Sequence, residues 1–143
     1  MRFVMSRNAD AHQQRMDQLR RARGASASLR VAFPTVQQLR LELQFAGGHA
    51  NPPGSQSYVL HPPALAFFTY PCPYANCDGQ FELSHAVNSA LDDPSLRTEG
   101  MLDCAGQRAQ KHDSRHPCQL RLHYTIVATR PQRPTSPTYG GEQ

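Results

Sequence analysis

The sequence lacks long apolar segments and is short of the residues that build a large hydrophobic core. Of its 143 residues, 38% are hydrophobic and 18% are charged, none is tryptophan, and the mean hydropathy is −0.61. No apolar run approaches the roughly 18 residues of a transmembrane helix. The stretch Phe3–Met5 is shorter than the apolar run of about 7–15 residues in a signal peptide. We therefore expect one small cytoplasmic domain with flanking tails.

Catalytic motifs with a recognisable spacing are also absent. The chain contains no H-E-x-x-H, G-x-S-x-G, G-x-G-x-x-G or P-loop pattern. The deaminase signature fails because four residues, not two, separate Cys72 from Cys77, and no His-x-Glu precedes them. These absences favour a non-catalytic protein. A thiol-redox or metal-dependent enzyme that uses the cysteines is the alternative.

The most informative motif is a pair of cysteines on a predicted tight turn, Cys72-Pro73-Tyr74-Ala75-Asn76-Cys77-Asp78-Gly79. Proline restricts φ, and Asn, Asp and Gly tolerate the backbone of tight turns. Such a turn directs two sulfurs and several backbone N–H groups towards one point. This arrangement supplies half of the tetrahedral thiolate site that zinc prefers, with the N–H groups stabilising the thiolates.

The turn resembles the knuckle of zinc-ribbon and zinc-finger proteins, and the resemblance covers residues 65–83. It implies a structural zinc ion. Thirteen residues separate Cys104 from Cys118, whereas about two to four residues separate the ligands of a typical second knuckle. The resemblance therefore concerns metal-binding chemistry, and no family function follows from it.

Cys104 and Cys118 are the candidates for the second half of the site. If residues 101–105 pair antiparallel with residues 118–126, the two cysteines lie opposite each other, with Cβ atoms about 4.5–5.5 Å apart. That distance suits two ligands of one metal ion. We therefore predict a structural zinc site that compensates for a small core, with the ligands Cys72, Cys77, Cys104 and Cys118.

Three alternatives to this site remain open. The four cysteines could form two disulfides, although thiols in the cytoplasm stay reduced. His112 or His116, between the second pair of cysteines, could replace one thiolate, and His61 and His85 flank the first pair. The four cysteines could also be unrelated free thiols, which the turn residues around the first pair argue against.

The net charge of +4 is unevenly distributed along the chain. Residues 1–40 carry a charge of +6 and residues 41–99 a charge of −5. The segment Asn8–Arg23 contains no Pro or Gly and has a narrow apolar stripe, which predicts a basic amphipathic helix. A basic helix suits the phosphates of a nucleic acid or an acidic protein surface. We predict that the partner is bound by Arg15, Arg20, Arg21 and Arg23.

A second candidate interaction surface is aromatic. An adaptor protein would use exposed rings in the middle of the chain, for which the candidates are Tyr58, Phe67, Phe68 and Tyr74. These rings lie in the acidic segment and do not alternate with basic residues. That distribution argues against a surface on which nucleic-acid bases stack.

Hydrophobic periodicity predicts the fold class. Residues 39–45 and 120–126 alternate apolar with polar side chains, as amphipathic strands do. The apolar run Leu65–Tyr70 predicts a strand buried on both faces, residues 84–92 a short helix, and residues 106–117 a polar loop. The result is an α+β fold in which an N-terminal helix precedes a small, mainly antiparallel sheet stapled by the zinc site.

The predicted domain organisation has three parts. Residues 1–34 form a basic helical segment, residues 35–129 form the zinc-binding α+β domain, and residues 130–143, with three prolines and no apolar periodicity, form a disordered tail. The predicted function is that of a small cytoplasmic zinc protein that binds a protein or nucleic acid without catalysis.

Overall fold

A computed structural model describes residues 3–47, 54–74, 76–109 and 115–131. The helices are α1 (Phe3–Gly24), α2 (Leu29–Ala32) and α3 (Ser84–Asp92), and the strands are β1 (Gln38–Ala46), β2 (Ser55–Leu60), β3 (Thr69–Pro71), β4 (Gln80–Glu82), β5 (Arg97–Asp103), β6 (Gln107–Ala109), β7 (Arg115–Pro117) and β8 (Arg121–Thr129). A helix followed by a mainly antiparallel sheet confirms the predicted α+β class. The predicted division at residues 34 and 129 stays a prediction, and most of the predicted tail lies outside the described residues.

Four strands form the main sheet, in the antiparallel order β2-β1-β8-β5. The alternation in the sequence determines which face is buried, because successive side chains of a strand point to opposite faces. In β1 the buried residues are Leu39, Leu41, Leu43 and Phe45. Leu122 and Ile126 of β8 lie on the same buried face, so both predicted amphipathic strands are confirmed.

The buried face of the sheet is covered by side chains from the rest of the chain. Helix α3 packs against β5 and β8 and buries Ala86, Val87 and Ala90. The ring of Phe81 packs against Phe45, with ring centroids 5.9 Å apart. This apolar layer anchors the strand β4, which follows the first pair of cysteines.

Strands β5 and β8 continue beyond the sheet as one long hairpin. Asp103 pairs with Arg121 in the sheet, and Gln107 pairs with Pro117 in the β6–β7 ladder, in the same register. The predicted polar loop at 106–117 is therefore wrong in its described part, where β6 and β7 form a ladder. The hairpin keeps its register beyond the sheet because backbone hydrogen bonds also join its two strands at Cys104 and Cys118.

The predicted strand at Leu65–Tyr70 is also wrong in its extent. The strand includes only Thr69–Pro71, and Phe68 is the one buried residue of the apolar run. Instead of joining the sheet, the preceding backbone pairs with the chain before α2. Leu29 N–H donates to the carbonyl of Ala64 at 2.7 Å, and Ala66 N–H donates to that of Ala27 at 2.8 Å.

Candidate metal centre

Four cysteine side chains converge on one buried point. The sulfurs of Cys72, Cys77, Cys104 and Cys118 all lie within 4.8 Å of one another, and all four residues are buried. The Sγ atoms of Cys72 and Cys118 are 3.9 Å apart, and those of Cys77 and Cys104 are 3.5 Å apart. Zinc–sulfur bonds of about 2.3 Å in a tetrahedron place sulfurs about 3.8 Å apart. The cluster therefore has the dimensions of a four-thiolate metal site.

The first two cysteines lie in the hairpin formed by β3 and β4. Cys72 N–H donates to the carbonyl of Gly79 at 3.0 Å, which extends the β3–β4 ladder by one step. Cys77 N–H donates to the carbonyl of Tyr74 at 3.1 Å and closes the turn between them. The predicted turn of the first pair is thus present, and it places both sulfurs on one side of the hairpin.

The second two cysteines lie on the long hairpin, but not opposite each other as predicted. Cys104 N–H donates to the carbonyl of Leu120, and Cys118 N–H donates to that of Gly106, each at 2.9 Å. The β5–β8 register determines this arrangement, because it pairs Cys104 with Leu120 and leaves Cys118 two residues further along. The two cysteines are diagonal neighbours, whose side chains still share one face of the hairpin.

The two hairpins present the cysteines in the same way. Each contains a Cys-x-Gly segment, Cys77-Asp78-Gly79 in one and Cys104-Ala105-Gly106 in the other. In each hairpin the backbone carbonyl of the glycine accepts the N–H of the remaining cysteine, Cys72 or Cys118. The sulfur distances of 3.9 Å and 3.5 Å each join equivalent cysteines of the two hairpins. The site thus has an approximate twofold arrangement, and its sequence signal, the repeated Cys-x-Gly, was missed.

Glycine is required where the two hairpins touch. A Cβ atom on Gly106 would overlap the backbone N and Cα of Gly79, and one on Gly79 would overlap the sulfur of Cys104. The two backbones therefore approach more closely than any side chain allows. Asp78 joins the hairpins at the same point, since its N–H donates to the carbonyl of Gln107 at 3.1 Å and its carboxylate accepts the N–H of Gln107 at 2.7 Å.

Backbone N–H groups point at three of the sulfurs. Gly79 N–H donates to the sulfur of Cys77 at 3.2 Å. The N–H groups of Tyr74 and Gly106 donate to the sulfurs of Cys72 and Cys104. In each case the donor lies two residues after its cysteine. Donors in this position stabilise a thiolate, which is the form of cysteine that binds metals.

The close packing of the thiols separates their acidities. The hydrogen bond between Cys72 and Cys104 raises the pKa of Cys72 and lowers that of Cys104. Burial raises the pKa of Cys77. Without a cation, thiolate charge is therefore favoured at Cys104. A bound cation would favour the thiolate form of all four, because opposite charge stabilises the ionised state.

The structure separates the four predicted partner-binding arginines. Arg15 is half-buried and donates to the carbonyl of Cys77 at 2.6 Å and to that of Gly79 at 2.9 Å. It therefore fastens α1 to the first hairpin, and its role as a partner contact stays a prediction. Arg20, Arg21 and Arg23 are exposed near the end of α1, where Arg20 pairs with Asp17 at 2.8 Å.

The predicted aromatic surface is not one exposed patch. Phe68 is buried, while Tyr58, Phe67 and Tyr74 are half-buried. The ring of Tyr58 stacks on Tyr70, and the guanidinium carbon of Arg108 lies 4.0 Å from the centre of the Tyr74 ring. The adaptor surface proposed from sequence is therefore wrong at Phe68, because that ring packs into the core against Phe33.

Among the described residues, cysteines alone form the cluster. His61, His85 and His116 are exposed, and the group of possible ligands around the four sulfurs includes none of them. His112 lies outside the described residues. The four thiols are reduced in this arrangement, since their sulfurs lie well beyond the bond length of a disulfide, about 2.05 Å.

Comparisons with protein-family models, curated proteins and solved structures find no match for this chain. Within the described residues, no helix has the length and apolar character needed to cross a bilayer.

Proposed function

We propose that this protein binds one zinc ion through the thiolates of Cys72, Cys77, Cys104 and Cys118, and that the ion has a structural role. The observation that carries the proposal is the convergence of four buried sulfurs within 4.8 Å. Thiolates select zinc over hard cations such as magnesium or calcium. Four protein ligands complete a tetrahedron and leave no position for a substrate, so the site supports folding rather than catalysis.

The electrostatics of the site support this assignment. A zinc ion with four thiolates carries a net charge of −2, which a buried site must balance. Three backbone N–H groups donate to the sulfurs. The guanidinium of Arg15 lies against the hairpin carbonyls of Cys77 and Gly79. These groups supply positive charge and dipoles at the edge of the cluster.

The ion would add to the contacts that Asp78 and Arg108 make between the two hairpins. Strands β3, β4, β6 and β7 are three residues long, and two-stranded ladders of this length are marginal in water. Metal binding that requires the folded arrangement contributes its free energy to folding. We propose a reducing compartment, the cytoplasm, because the ligands must remain reduced.

The test is metal analysis of the full chain purified under reducing conditions without added metal. Native mass spectrometry should show one zinc per chain, and cobalt substitution should give the intense visible bands of a tetrahedral thiolate site. His116→Gln is the matched control and should retain the metal, because His116 is exposed. Two intramolecular disulfides, or an apoprotein with unchanged stability, would overturn the proposal and favour thiol-redox chemistry. Bound iron would overturn the choice of zinc.

We further propose that the protein acts as a non-catalytic binding module through the end of α1. The specific observation is that Arg20, Arg21 and Arg23 are exposed on the last turns of one helix. The partner is either a nucleic acid or an acidic protein, and the two differ in salt dependence. Each phosphate contact that is lost should lower the slope of log affinity against log salt by roughly one unit.

The experiment uses a 20-nucleotide DNA duplex as the probe at two salt concentrations. The triple variant Arg20→Gln, Arg21→Gln, Arg23→Gln should bind more weakly and with a flatter salt dependence, while its zinc content stays the same. Arg40→Gln, an exposed arginine on β1, is the matched control. Unchanged DNA affinity in the triple variant would exclude a nucleic-acid role for this helix.

A further inference from the structure

A cleft of about 290 Å³ lies between α1 and the chain around β2 and β3. Its walls are largely apolar. Met16 and Leu19 of α1 form one wall, and Leu65 and Phe67 form the other. All four side chains are half-buried, so each still exposes apolar surface to the cleft or its mouth. The volume lies at the lower end of small-molecule sites, about 300–1,000 Å³.

Two stacked tyrosines contribute polar groups to the lining of the cleft. The rings of Tyr58 and Tyr70 lie 4.7 Å apart at an interplanar angle of 26°. The hydroxyl of Tyr58 donates to Gln56 at 2.9 Å. Among the described residues, the hydroxyl of Tyr70 has no hydrogen-bond partner. Burial raises the pKa of Tyr70 to about 12, so its phenol is protonated and available as a donor at neutral pH.

The charged side chains that line the cleft are all positive. Arg20 and Arg23 line the cleft, and no acidic residue is among its described lining residues. Arg20 is held by Asp17 through an ion pair of 2.8 Å. Arg23 has no ion pair within the described part of the chain, and its charge partly offsets the rise in pKa that burial causes at the hydroxyls of Tyr58 and Tyr70. Arg23 is therefore a cation without an ion-pair partner, and it lies near the Tyr70 hydroxyl, which can still donate a hydrogen bond.

We propose that this cleft binds a small organic carboxylate with an apolar body. The carboxylate would accept hydrogen bonds from Arg23 and from the hydroxyl of Tyr70, and the apolar body would lie between Leu19 and Phe67. An amine is disfavoured, because it would meet two arginines and no acid. A short carboxylate without an apolar body would leave the side walls exposed to water.

The alignment of the helix wall depends on the first hairpin. Arg15 fastens α1 to the carbonyls of Cys77 and Gly79, and Met16 and Leu19 follow it on the same helix. The cleft is therefore tested in the zinc-loaded full chain. Zinc content is measured alongside every binding experiment, so that loss of the metal site and loss of ligand binding are distinguishable.

The experiment titrates isotopically labelled full-length protein with four probes: acetate, butyrate, octanoate and octylamine. Octanoate should shift amide signals of α1 and β2, and its affinity should exceed that of butyrate by about fourfold per added methylene group until the cleft is filled. Octylamine should bind at least tenfold more weakly than octanoate. Equal affinity for octanoate and octylamine, or shifts confined to other elements, would overturn the proposal without requiring any variant.

Two variants then test the role of the cation. Arg23→Gln should weaken octanoate binding roughly tenfold, the effect of losing one charge-assisted hydrogen bond. Arg21→Gln is the matched control, since it is exposed on the same helix but does not line the cleft. Tyr70→Phe should weaken octanoate binding by a smaller factor. Equal octanoate affinity for the Arg23 and Arg21 variants would overturn the assignment of the carboxylate position.

Discussion

The four-stranded sheet and the cysteine cluster are stabilised by different interactions, although β5 and β8 lead from one into the other. In the sheet, β1 and β8 pair over nine residues and bury a continuous row of leucines and isoleucine. Around the cluster, ladders are three residues long and the buried side chains are mainly the cysteines themselves. Hydrophobic burial stabilises the first region, whereas we propose that a metal ion connects the two hairpins of the second.

This comparison shows why a chain with a modest apolar content reaches a defined structure. Burial of apolar area stabilises the sheet. In the two cysteine hairpins, where few apolar side chains are buried, the proposed metal site supplies the stabilisation instead. The glycine contact between Gly79 and Gly106 and the bonds from Arg15 align the second region. The predictions below compare the sensitivities of the two regions, beginning with the largest expected effect.

Loss of a ligand should have the largest effect and should act first on the cysteine region. Cys77→Ser should reduce bound zinc to near zero, because the site loses one of its four thiolate ligands. The effect on stability should be large, because structural zinc contributes on the order of 10 kcal/mol to folding. Hydrogen exchange should show faster exchange in residues 69–82 and 103–109, while amides of β1 retain more protection. Unchanged exchange in the two hairpins would contradict the separation of the two regions.

A cavity among the buried side chains of the sheet should have the opposite effect: it should lower the stability of the protein without removing zinc. Leu41→Ala should lower the free energy of unfolding by about 2–5 kcal/mol, since a fully buried leucine loses its contacts and leaves a void. Zinc stoichiometry under native conditions should stay at one per chain. Val59→Ala, at a β2 residue that is 47% exposed, is the control and should change stability far less. Denaturant unfolding of the zinc-loaded variants measures the difference.

The contact between the hairpins should tolerate no side chain. Gly106→Ala should cost about 1–3 kcal/mol and weaken zinc affinity, because its Cβ would overlap the backbone of Gly79. Gly24→Ala, where a Cβ would meet nothing within 4 Å, is the matched control and should leave zinc affinity unchanged. Competition with a chromogenic chelator measures both affinities. Equal affinities would show that the close approach is not needed for the metal site.

Loss of the hydrogen bonds between α1 and the first hairpin should have the smallest effect on stability. Arg15→Gln should lower stability by about 1 kcal/mol, since Arg15 loses two charge-assisted hydrogen bonds but is half-exposed. Faster hydrogen exchange should be confined to the described part of α1. Arg21→Gln, exposed on the same helix, should leave the exchange unchanged. An equal response in both variants would contradict a structural role for Arg15.

Local patterns predicted the strands well where one face is buried and the other solvated. The alternation at 39–45 and 120–126 could be recognised because such a strand repeats every two residues, independently of what packs on it. The first pair of cysteines was equally readable, since Pro73, Asp78 and Gly79 favour a turn by their own backbone preferences. In both cases the information lies within ten residues of chain.

Predictions that depended on distant partners were less successful. The apolar run Leu65–Phe68 does not form a strand, because its backbone bonds with the chain before α2 rather than with the sheet. Cys104 and Cys118 proved diagonal, because the register of a long hairpin determines which residues face each other. Arg15 could not be distinguished from its neighbouring arginines until the position of the helix was known.

The sequence by itself determined the α+β class, the two amphipathic strands and the identity of the four cysteines as candidate ligands. These features depend on periodicity, on turn preferences and on the chemistry of the thiolate, which are all local. Tertiary structure alone decided how the four sulfurs are arranged, that Gly79 and Gly106 touch, and that Arg15 bonds to the hairpin while Arg23 lines a cleft. Each of these contacts joins residues far apart in the chain, and the packing of the whole molecule determines their distance.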